Sequence, residues 1–204
     1  MLHVHPENPQ KRLIEQAGKC ILNGGLVVCP TESCYVLLHG ITEKKPHERV
    51  LQIRNLPRDH LFTLICADLS QLDRYSRVGT LEYRMLKSHL PGPYTFILGA
   101  TRLIPKRLVG PKRDTIGVRV SAHPVCQQLL QYVGEALVST TVKLPGWEWP
   151  LSAESDLVEH LKTRVDCMLL AGIGRTVETT VVDLLADPPK VLRVGLGDTG
   201  PLGL

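Results

Sequence analysis

Short apolar runs separated by stretches with helical spacing make up most of this chain, and that alternation limits the folds open to it. Leu26–Cys29, Phe62–Cys66, Tyr94–Leu98, Thr115–Val120, Ala136–Thr140 and Cys167–Leu170 each read as a buried strand. Between them lie amphipathic segments. Asn8-Pro9 reads as the cap and first position of a helix with Leu13, Ile14, Ala17 and Ile21 inward, stopped by Asn23-Gly24-Gly25. A second helix fits Pro46 to Asn55, and two short ones are predicted behind Asp68 and Thr80 as caps. His123–Tyr132 and Glu154–Leu161 complete the helices, and strands at Thr179–Leu184 and Val191–Val194 cluster at the end. Strands alternating with helices predict one α/β domain over residues 1–204 on a twisted mixed sheet, with the closing strands as antiparallel additions.

A hydrophobic fraction of 43% and a charged fraction of 22% fit a globular chain and argue against disorder. Six cysteines are scattered without a CxxC pair or zinc-ligand spacing. They read as reduced thiols packed as small hydrophobes, and no metal site is predicted. The N-terminus MLHVHPENPQ lacks an apolar signal core, and no apolar run has the length of a membrane span. The expectation is a soluble cytoplasmic protein with no membrane partner. Residues 1–143 hold 19 Lys/Arg and 11 Asp/Glu, a surplus of +8, whereas residues 144–204 hold 5 and 9, a deficit of −4. The basic portion suits phosphate-bearing ligands, although a solvated basic face accounts for it equally well.

Several constellations could carry chemistry, and each has a plain structural reading beside it. Pro30-Thr31-Glu32-Ser33-Cys34-Tyr35 follows a buried strand, where α/β folds bind ligands; it also reads as a polar turn. Arg54 and Arg58, four residues apart at a helix end, could clamp a phosphate or simply complement the helix dipole. Leu90-Pro91-Gly92-Pro93-Tyr94-Thr95-Phe96 is a rigid turn feeding a strand. Arg119 interrupts the apolar strand Thr115–Val120 and needs an anionic partner, either a ligand or a structural carboxylate. Ser139, Thr140, Thr141 and Lys143 place hydroxyls and an ammonium at a strand end. Thr179-Thr180 opens an apolar strand, and Arg193 lies near the terminus. Arg102, Lys106, Arg107, Lys112 and Arg113 have no acid among residues 102–113, so they could track an RNA backbone or form a solvated loop. Gly195 to Gly200 matches GxGxxG, but no helix follows it, and the dinucleotide reading lacks its physical basis.

Taken in order, PTES–CY, IRNLPRDH, LPGPYTFIL, TIGVRVSAHPV, ALVSTT, TTVVDL and VLR resemble the YrdC/YciO family from about residue 10 to residue 195, with the YciO branch nearest. The resemblance implies a twisted mixed sheet around a concave basic cleft. It implies synthesis of L-threonylcarbamoyl-AMP from L-threonine, bicarbonate and Mg-ATP for tRNA modification, a nucleotidyl transfer that needs no tightly bound cofactor. It also implies double-stranded RNA binding. At this length the expectation is a single domain without the extra C-terminal domain of longer members. Position by position, Thr31, Arg119, Thr179 and Thr180 would contact L-threonine, with Arg119 on its carboxylate. Thr95, Ser139, Thr141 and Arg193, with Arg54, would line the ATP side.

Two departures fall on the reacting side. The family's Lys-x-Arg-Pro is Arg54-Asn55-Leu56-Pro57 here, and its Ser-x-Asn becomes a stretch from Ser139 that runs on to Lys143. Leu56 removes a cation at the triphosphate, a loss on the order of 10²-fold in rate. Arg58 and Lys143 are the expected substitutes, acting catalytically with Arg54. Two functions therefore stand side by side: the synthase, and a non-catalytic protein binding double-stranded RNA, tRNA or ribosome-associated RNA through the +8 portion and residues 102–113. Convergence of Arg58 and Lys143 on Arg54 favours the first; closure of the site by Leu56 favours the second.

Overall fold

The computed structural model describes residues 1–109 and 114–202. In chain order the elements are β1 (Leu2–His3), α1 (Lys11–Leu22), β2 (Val27–Cys29), β3 (Val36–Gly40), α2 (Lys44–Arg54), β4 (Thr63–Cys66), α3 (Leu69–Tyr75) and β5 (Ser76–Arg77). They continue with α4 (Thr80–His89), β6 (Tyr94–Ala100), α5 (Lys106–Val109), β7 (Thr115–Val120), α6 (Pro124–Val133), β8 (Leu137–Thr141), α7 (Glu154–Leu161), β9 (Cys167–Leu170), β10 (Thr180–Asp183) and β11 (Lys190–Arg193). All the strands join one mixed sheet in the order β1-β9-β2-β3-β8-β4-β7-β6-β10-β11, with β5 beside the far end of β6. The closing strands are only partly antiparallel: β10 runs parallel to β6, and β11 antiparallel to β10.

Strand periodicity sorts the sheet into two faces. Leu64, Cys66, Phe96, Leu98, Val118, Val120 and Val138 point to one side, into a core closed by Ile53 of α2, Leu72 of α3, Leu86 of α4, Leu108 of α5 and Leu157 of α7. On the other side Val27, Cys29, Leu38, Ile65, Leu137 and Leu169 meet Ile14, Ala17 and Ile21 of α1 and Val125, Leu129 and Leu130 of α6. These two helices cover the β9-β2-β3-β8 half of that face and reach Ile65 of β4. Over β4, β7, β6 and β10 the same side carries Thr63, Gly117, Thr95 and Val181, paired across the strands as Thr63–Gly117 and Val181–Thr95. None of these residues takes part in either apolar core.

Several local expectations shift. Gln10, not Asn8, precedes α1, and Asn8 instead donates its backbone N–H to His5. Gly79 precedes α4, so Thr80 is its first helical residue, while Asp68 does cap α3 by accepting from the Gln71 N–H at 2.7 Å. The stretch after Arg102 contains the short helix α5 instead of running as a bare loop. β3 was not anticipated: Val36-Leu37-Leu38 directly follows the polar turn, and β2 and β3 form an antiparallel pair around it. All six cysteines are free, five of them buried. Burial pushes the Cys66 thiol up to about 12 and, with Glu178 adding, that of Cys34 as well, which suits packing and not reactivity. No helix among the described residues is long and apolar enough to cross a membrane.

Candidate functional site

The half-face left open by α1 and α6 is a cavity of about 490 Å³, within the range of small-molecule sites. Its floor is built from alternate residues of adjacent strands: Thr63 of β4, Thr95 and Ile97 of β6, Thr115, Gly117 and Arg119 of β7, and Ser139 and Thr141 of β8. Gly117 keeps that floor low. A Cβ there would lie 3.0 Å from Thr63 Oγ1 and 3.2 Å from the Thr95 methyl, filling space between the strands. Arg54, Lys143, Arg193 and Glu178 complete the wall, with His60 and Thr179.

Arg54 arrives from the end of α2. Asn55 adopts a left-handed conformation at φ 51°, the Leu56 N–H bonds back to the Leu51 carbonyl at 2.9 Å, and the Asn55 N–H to that of Gln52 at 3.3 Å. This is a Schellman closure, and Leu56, like Leu51, packs against the large apolar core. Leu56 thus terminates the helix and does not line the cavity. Arg58 follows in an exposed turn and is not among the lining residues. Arg54 itself donates from Nε to the Lys143 carbonyl at 3.0 Å and from Nη1 to Thr140 Oγ1 at 2.5 Å. These bonds place the guanidinium alongside Lys143 at the end of β8. Burial lowers the Arg54 pKa from its ordinary value, with Glu178 opposing.

Arg119 is 5% exposed. Its Nη2 donates to Glu32 Oε1 at 2.6 Å, and more distantly to Ser33 Oγ at 3.4 Å, while its Nε is buried with no hydrogen-bond partner. The other Glu32 oxygen accepts from the Ser121 hydroxyl. Across the cavity Glu178 accepts from Thr141 Oγ1 and from Arg193 Nη1, both at 3.0 Å. Arg193 also caps the Thr179 carbonyl with Nε at 3.0 Å and Nη2 at 2.9 Å, and Thr179 Oγ1 shares a bond of 2.8 Å with Thr95 Oγ1. Burial, then the nearby Arg54 charge, lowers the His60 pKa, so this ring on the wall is neutral near pH 7.

Of the residues singled out from sequence, Arg54, Thr95, Arg119, Ser139, Thr141, Lys143, Thr179 and Arg193 share this cavity. Thr31 and Thr180 do not line it. The Thr31 hydroxyl donates to the Cys34 carbonyl at 2.6 Å, and the Thr180 hydroxyl to that of Gly197 at 2.6 Å. Strand alternation sends Thr180 to the face opposite Thr179. Arg102 and Lys106 are exposed outside the cavity, whereas Arg107 is tied inward, its Nη2 donating to the Ile41 carbonyl at 2.5 Å. Lys112 and Arg113 lie outside the described residues. The sequence reading missed Glu32, Glu178, His60 and Thr63. Thr63 could have been found from its alternation with Ile65, and Glu178 from its place before the threonine pair.

A family model designated Sua5_yciO_yrdC and described as telomere recombination matches residues 19–195. The uncharacterized protein YciO of Escherichia coli K12 is 44% identical over 199 residues, 98% of this chain and 97% of that protein. Its crystal structure superposes with a TM-score of 0.94 over the same shares. Threonylcarbamoyl-AMP synthase of Pyrococcus abyssi is 29% identical over 184 residues, 89% of this chain but 54% of that protein. The structure of P. abyssi Sua5 complexed with L-threonine is 28% identical and matches with a TM-score of 0.87, covering 95% of this chain and 57% of that one.

Proposed function

The chain belongs to the Sua5/YciO/YrdC family, and from that membership we propose that its cavity binds L-threonine and Mg-ATP and forms threonylcarbamoyl-AMP. The observation that carries this reading is the meeting of Arg54 with Lys143. The Arg54 guanidinium donates to the Lys143 backbone and both residues line the cavity, so two cationic residues meet at the space in which Leu56 supplies none. Arg119 offers a guanidinium to the amino-acid carboxylate on the floor, and Thr95, Ser139, Thr141 and Thr179 offer hydroxyls. In this reaction the neutral threonine nitrogen bonds the carbon of CO2 with release of a proton to solvent, or that of bicarbonate as a C–O bond breaks and water leaves, and a carbamate results. A carbamate oxygen then attacks the α-phosphorus in line, and the bond to the bridging oxygen of pyrophosphate breaks. Arg54, Lys143 and Mg²⁺ stabilise the charge that moves onto the leaving group, so positioning and electrostatics supply the rate.

The test is pyrophosphate release by purified protein with Mg-ATP and bicarbonate, with and without L-threonine, beside Arg119→Ala. The expected result is threonine-dependent release that the variant loses. Release that ignores threonine, or none from folded protein, overturns the reading.

A second reading, RNA binding on the face carrying Arg102 and Lys106, is favoured by the exposure of both side chains. It calls for a duplex RNA affinity that falls steeply with salt and weakens when both are changed to alanine. Affinity unchanged in that double variant removes it.

A further inference from the structure

Arg119 has a second carboxylate to deal with besides any ligand's. The Glu32 side chain already holds its Nη2 at 2.6 Å, from the loop that joins β2 to β3. Glu32 is fixed in turn. The Ser121 hydroxyl donates to its other oxygen, Ser121 Oγ accepts the His123 N–H at 3.2 Å, and Gln127 of α6 donates to the Ser121 carbonyl at 2.6 Å. Ser121 is fully buried and the side chain of Arg119 is 6% exposed, so this chain of bonds runs inside the molecule from α6 to the cavity floor. Glu32 itself is not among the lining residues.

We infer that Glu32 is a positioning residue, which fixes the Arg119 guanidinium so that its unengaged edge meets the carboxylate of an amino-acid ligand. This rests on the reading of Arg119 as the carboxylate anchor. The physical argument is one of preorganisation. An arginine on a strand has several rotamers, and in a cavity without Glu32 it would turn toward solvent or toward Glu178. A ligand would then have to order it on binding. Held by Glu32 on one nitrogen, it meets the ligand already aimed, and the bond costs little ordering. The negative charge also offsets a buried cation, which lets Arg119 stand where a lone guanidinium would be costly. Ser121 does for Glu32 what Glu32 does for Arg119.

The experiment is calorimetric titration of L-threonine into the wild-type chain and into Glu32→Gln, Ser121→Ala and Arg119→Ala, reading stoichiometry and Kd separately. Partial misfolding lowers stoichiometry at constant Kd. A positioning role raises Kd at constant stoichiometry. The expected result is a ten- to hundredfold rise in Kd for Glu32→Gln, a rise of a few fold for Ser121→Ala, and loss of binding for Arg119→Ala. Wild-type binding that Arg119→Ala loses but Glu32→Gln keeps overturns the inference and leaves the function standing. A wild-type chain that binds no L-threonine overturns both. If Glu32→Gln has no cooperative melt, Ser121→Ala decides, because it leaves the ion pair in place: an unchanged Kd there counts against the inference.

Discussion

At the scale of single residues, the exchange of a cation for Leu56 has a structural cause. The position closes α2 through the bond from its N–H to the Leu51 carbonyl, and its side chain packs against the core. An arginine there would lose that contact, and Leu56 gains it at the expense of charge in the cavity. Lys143, just past the end of β8, is a lining residue of the cavity and under the proposed function supplies the missing charge, whereas Arg58 is exposed and is not a lining residue. Two substitutions separate these roles. Lys143→Met is expected to lower kcat/KM for threonine-dependent pyrophosphate release by about 10²-fold, near 3 kcal/mol, since it removes one of two cations at the polyphosphate. Arg58→Ala is expected to stay within twofold. Equal losses in the two variants would mean that Arg58 swings into the site.

Elements meet through individual residues as well, and α1 crosses α6 at Gly18. A Cβ at that position would sit 2.2 Å from Tyr132 Cδ1 and 3.2 Å from its Cγ, so the ring itself, not just its tip, stands in the way. In an open helix Gly→Ala stabilises by about 1 kcal/mol. Here Gly18→Ala should destabilise by about 1–2 kcal/mol, because Tyr132 must leave its place. Made in a Tyr132→Ala background, the same change should stabilise by up to about 1 kcal/mol. Urea unfolding of the four proteins measures the coupling, and additivity would show that the two helices do not touch there.

The elements were mostly legible because their signals are local: short apolar runs for the strands, helical spacing and turn residues for the helices. β3 was hidden because its apolar stretch abuts the polar turn at Thr31–Tyr35 and lacks a separating signal. Lys143 was legible as a charge at a strand end. Glu178 was marked only by its place before the threonine pair, and the pairing of Glu32 with Arg119 and of Glu178 with Thr141 and Arg193 was not legible, since these partners lie 15 to 87 residues away in the chain and only the fold joins them.

For the molecule as a whole, a buried histidine pair sets how stability responds to pH. His39 of β3 meets His47 of α2 edge to face, ring centroids 5.5 Å apart, and His47 lies 4.7 Å from the Phe62 ring. His39 Nδ1 bonds the Gly40 carbonyl at 2.8 Å, while His39 Nε2, His47 Nδ1 and the Nε of Arg107 are buried without partners. Burial pushes His39 down to about 4, opposed by the Gly40 carbonyl and reinforced by His47 and Arg107. His47 is lowered by burial and then by Arg107, with Glu48 opposing and His60 adding. A neutral imidazole in the fold and a protonatable one in the unfolded chain give a definite sign. Stability is complete above the unfolded value of 6.5 and falls as pH drops from there toward 4, because only the unfolded chain takes up the proton. At pH 5 His39 alone accounts for about 2 kcal/mol of lost stability. Burial lowers His60 and His123 too, so they act in the same direction. The measurement is urea unfolding at pH 7.5 and at pH 5.0 for the wild-type chain and His39→Asn. The wild type should lose about 2 kcal/mol or more between the two, and the variant about 2 kcal/mol less than the wild type loses. If both lose the same amount, the acid sensitivity resides in the other histidines that burial lowers, His47, His60 and His123, and His39 does not contribute to it.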